Sequence, residues 1–107
     1  MDMTSFIQIV TMTDKKEDAD KIAMTMVERK LAACVQIAGP IVSMYRWKGT
    51  IETATEWQCV IKSREGLYTE IEKAIRAVHP YEVPEIIAVP IIAGNSDYLE
   101  WLQGELV

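Results

Sequence analysis

A chain of 107 residues, 50% of them apolar and 25% charged, matches one globular domain over residues 1–107 with a modest core. Its net charge of −5 repels phosphate backbones and anionic lipid, which sets nucleic acid and membrane surfaces aside as partners and favours cations. No run of about 18 apolar residues could cross a bilayer, and "MDMTSFIQIVTMTDKK" lacks a secretory pattern, so the expected compartment is the cytoplasm.

The segment "SFIQIVTM" carries apolar residues on both faces (Phe6, Ile7, Ile9, Val10), as a central strand does. Asp14 and Glu17 have capping-box spacing, and Ala19, Ile22, Ala23, Met26 and Val27 then recur at helical intervals. "ACVQIAGPIVSMYRW" reads as a strand interrupted at Gly39-Pro40; a "KG" turn and a second strand from Ile51 to about Lys62 make it a hairpin. Leu67, Ile71, Ile75 and Val78 set the stripe of a second helix, stopped by Pro80 because a residue before proline avoids the α region. "EIIAVPII" is the fourth strand, and a short helix starting near Asn95 or Ser96 places Leu99, Leu102 and Leu106 on one side.

The order β-α-β-β-α-β-α predicts an α+β fold, a ferredoxin-like βαββαβ sandwich with an added C-terminal helix. Strands two and four then lie at the sheet edges, where Pro40 and Pro90 break no central ladder. The strand from Ile51 to Lys62 would span roughly 40 Å at about 3.3 Å per residue, against a radius of gyration near 13 Å expected for such a chain. Its hairpin should therefore protrude, carrying Tyr45, Trp47, Ile51 and Trp57. A second copy of the chain is the simplest cover for such a hairpin, so Tyr45, Trp47 and Trp57 are the expected oligomer contacts.

Four segments, "KLAACVQI", "YRWKGTIE", "HPYEVPEIIAVPI" and "YLEWL", together resemble the CutA family of divalent-cation tolerance proteins, in matching order across nearly the full chain. The resemblance implies a compact homotrimer in which edge strands of neighbouring subunits pair, and an association with copper and other divalent metal ions. It also implies a trimer built like nitrogen-regulatory signalling proteins, and no enzymatic reaction. The leading expectation is thus a trimeric divalent-cation tolerance protein holding copper or another divalent cation weakly. The alternative is a signalling trimer that takes a small anionic ligand at its subunit clefts.

The sole histidine, His79, is the candidate metal ligand, since imidazole titrates near neutrality and binds copper, zinc and nickel. Copper-binding relatives resemble this chain in that histidine but add a second histidine and a cysteine ending strand one, where Val78 and Thr11 stand here. His79 is left with carboxylates, a methionine or a neighbouring subunit to complete a ligand set. Pro80 and Pro84 stiffen the segment around it, which directs Tyr81 and Glu82 toward a cleft; Lys62, through the resemblance, is the third cleft candidate. Cys34 and Cys59 form no CxxC pair and read as reduced core residues. Among the six methionines only Met1 and Met3 form a local pair. No serine-histidine-acid or paired-carboxylate spacing supports catalysis.

Overall fold

The computed structural model describes residues 5–107, so the Met1–Met3 pair lies outside the described residues. Strand β1 spans Phe6–Thr13, helix α1 Lys16–Glu28, strand β2 Cys34–Trp47 and strand β3 Thr50–Arg64. A short 3-10 turn at Glu65–Leu67 leads into helix α2, Tyr68–Val78, followed by strand β4, Ile86–Ile91, and helix α3, Ser96–Gly104. The sheet order β2-β3-β1-β4 is antiparallel throughout and puts the two proline-bearing strands at its edges. This is the ferredoxin-like sandwich with an added C-terminal helix.

Directly paired residues share a face of the sheet. On one face Ile9 pairs with Ile61, which pairs with Val35, and all three pack with Ile22 and Met26 of α1 and Ile71 and Ile75 of α2. This is the core. The other face presents Val10, Val60, Ile87 and Val89 and is only partly covered, by α3; Lys62 on that face lies 5.8 Å from the Tyr98 ring. Strand β4 leaves Ile87, Val89 and, just past its end, Ile92 exposed. Apolar residues on an unpaired edge and a half-open face need a cover.

Two local details differ from the sequence reading. Asp14 is not a helix cap: β1 continues through Thr13, whose hydroxyl donates to the Lys15 carbonyl at 2.8 Å, and Lys15 takes the cap position without a side-chain bond. Asp14 is thereby free to face elsewhere. The second difference is at Gly39-Pro40, where β2 runs on instead of breaking. Ala38 pairs with Gln58 and Ile41 with Glu56, so three steps on β2 match two on β3 and Trp57 faces one extra residue, as in a β-bulge.

Beyond the bulge the two strands project as a ribbon, giving the chain a longest dimension of 49 Å against 25 and 23 Å across. Its tip is a two-residue loop in which Lys48 (φ 50°) and Gly49 (φ 83°) both adopt left-handed backbone, the arrangement that matches the twist of a tight hairpin.

Candidate functional site

The bulge decides which side chains meet. A one-residue slip moves every later side chain of a strand to the other face. Val35 and Ile37 of β2 face the helices, yet past the bulge Ile41, Ser43, Tyr45 and Trp47 share the open face with Glu56 and Ala54. Tyr45, Trp47 and Glu56 thus come to line one cleft of about 730 Å³. Asp14, Tyr81, Glu82 and Glu85 complete it from the end of β1 and from the "HPYEVPE" loop.

His79 ties that loop down. Strand β4 first pairs at Thr11–Ile86, so the Met12 carbonyl lies past the end of that ladder. The His79 ring takes it, with Nε2 donating to the Met12 carbonyl at 2.8 Å while Nδ1 accepts the Tyr81 backbone N–H at 3.1 Å. Those two bonds define the neutral Nε2–H tautomer. The Tyr81 ring stands edge-on to His79 with centroids 4.9 Å apart, and its hydroxyl donates to Glu56 Oε2 at 2.6 Å. A chain of contacts therefore runs from β1 through His79 and Tyr81 to β3.

Burial raises the Tyr81 hydroxyl above its usual range, with the Glu56 hydrogen bond second, so it stays a donor. Burial lowers His79 below the ordinary 6.5, against the opposing pull of the Met12 carbonyl, Asp18, Asp14 and Glu56. Between that lowered value and about 6.5 the unfolded chain binds more protons than the folded one. Stability from this group is therefore complete above about pH 6.5 and declines as pH falls below it. Protonating Nδ1 also replaces an acceptor by a donor facing the Tyr81 N–H. We expect the wild type to lose more melting temperature than His79→Gln as pH falls below 6.5; parallel melting curves would contradict this role.

Of the residues expected at the site, the structure brings Tyr81 and Glu82 together with Tyr45 and Trp47. Lys62 does not join them: it sits farther along β3, paired with Gln8 and Cys34, over Tyr98. His79 is adjacent through Tyr81, but a metal on either ring nitrogen would break one of its two hydrogen bonds. Thr11 lies on the helix-covered face beside Cys59, its buried hydroxyl without a partner among the described residues, while the cleft forms on the other side. Trp57 is not on the projecting ribbon; it packs half-buried against the core with its ring on Gly39. Cys59 is a core thiol that burial, then Asp20, pushes up to about 11, whereas Cys34 is half-buried on the open face rather than in the core. Among the described residues no group of three or more histidine, cysteine, aspartate or glutamate side chains converges to hold a metal ion.

The cleft carboxylates not anticipated as such from the sequence are Asp14, Glu56 and Glu85. Glu56 has only 7% of its surface exposed, and its carboxylate accepts one hydrogen bond and no ion pair among the described residues. Nothing in the strand singles Glu56 out, since Glu52, Gln58 and Lys62 are further polar residues of the same β3.

Residues 7–105 match the model of the CutA1 divalent ion tolerance protein family. The chain is 39% identical over 97 residues to the divalent-cation tolerance protein CutA of Thermus thermophilus, covering 90% of this chain and 94% of that protein. It is 47% identical over 89 residues to a CutA homolog of Xenopus laevis, covering 83% of this chain but only 58% of the longer relative. A solved structure of the Thermus thermophilus divalent cation tolerance protein superposes with a TM-score of 0.93 at 35% identity, over 95% of this chain and 99% of that one.

Proposed function

Since the chain belongs to the CutA1 divalent ion tolerance family, we propose that it serves divalent-cation tolerance as a homotrimer whose acidic clefts receive the cation. The observation that carries the reading is the cleft lining: among the described residues it holds four carboxylates, Asp14, Glu56, Glu82 and Glu85, and no lysine, arginine or histidine. Carboxylate oxygens suit hard divalent ions. Because no three donors converge among the described residues, affinity is modest and water completes the coordination. Copper binds weakly as well; His79 joins its ligands only when the Tyr81 N–H releases Nδ1. The role is binding rather than catalysis.

The trimer is supported by the unpaired outer edges of β2 and β4, the open apolar face, and Tyr45 and Trp47 on the ribbon. A closed ring of heterologous contacts satisfies each edge once without growing a filament.

An anion-binding signalling trimer would need cationic side chains in the cleft, and Lys62 lies outside it. A thermal-shift comparison separates the two readings, because a ligand of the native state at about 100 times its Kd adds roughly 2.7 kcal/mol. Divalent cations are expected to raise the melting temperature, while nucleotides and dicarboxylates leave it unchanged. The reverse pattern would replace the cation reading by the anionic one.

A further inference from the structure

We draw no further inference here: the strongest candidate, the Lys62 and Arg64 side-chain pair at the α3 end of the open sheet face, where the buried Arg64 Nε has no hydrogen-bond partner among the described residues, lies on the face assigned to the proposed subunit interface, and nothing in the structure shows what group meets it there.

Discussion

Val89→Asp is expected to convert the assembly into folded monomers. Val89 lies on the open face of edge strand β4, 44% exposed in the single chain, so a carboxylate there remains hydrated and costs an isolated subunit little. In the proposed trimer this face is a subunit contact, where an unpaired buried charge costs several kcal/mol at each of three equivalent interfaces. Native mass spectrometry should give three times the 12.1 kDa chain mass for the wild type and a single chain for the variant, with the same far-ultraviolet circular dichroism. A variant that remains trimeric would show that β4 faces solvent in the assembly.

The second large effect is expected at Gly39. A Cβ placed there would stand 2.5 Å from Trp57 Cε3 and 2.9 Å from Cδ2, closer than real contacts allow, and it would also meet the Glu56 carbonyl at 3.2 Å. Relief requires moving an indole that packs against the core or the backbone that carries Glu56. Overpacking of this kind typically costs 1–3 kcal/mol, so Gly39→Ala should lose about 2 kcal/mol in urea unfolding. Gly66 is the control: a Cβ there meets nothing within 4 Å, and Gly66→Ala should be neutral or slightly stabilising. Equal stability of the two variants would show that the bulge has slack.

The bulge also explains why the fold was more legible in the sequence than the site. The order of elements follows from apolar periods of two and 3.6, and the edge positions of Pro40 and Pro90 follow from their missing N–H groups, so the sheet topology could be anticipated. The "HPYEVPE" segment was readable as a stiff connector for the same reason, and α2 does end at Val78 before an extended His79. A strand's alternation fixes its faces only until the register slips, however, and nothing in "QIAGPIVS" says whether the chain breaks, turns or absorbs one residue. Trp57 was accordingly placed on the ribbon instead of against the core, and Glu56 escaped notice beside it. Asp14 was missed because it fits a cap pattern; how far β1 runs depends on its partners β3 and β4, which local spacing does not encode. Lys62 was grouped with the loop through family likeness, while its position along β3 puts it under α3.

Paramagnetic broadening by Mn²⁺ tests the central claim, that the cleft around Glu56 receives the cation, most directly. In a ¹⁵N-labelled, deuterated sample titrated with substoichiometric Mn²⁺, the amide signals of Asp14, Glu56 and Tyr81 to Glu85, apart from Pro84, should fade first. The exposed Glu17 and Asp20 of α1 serve as an internal reference for diffuse attraction to surface charge. Loss of the cleft signals with α1 still sharp is the predicted result. Broadening on α1 with a sharp cleft would contradict it.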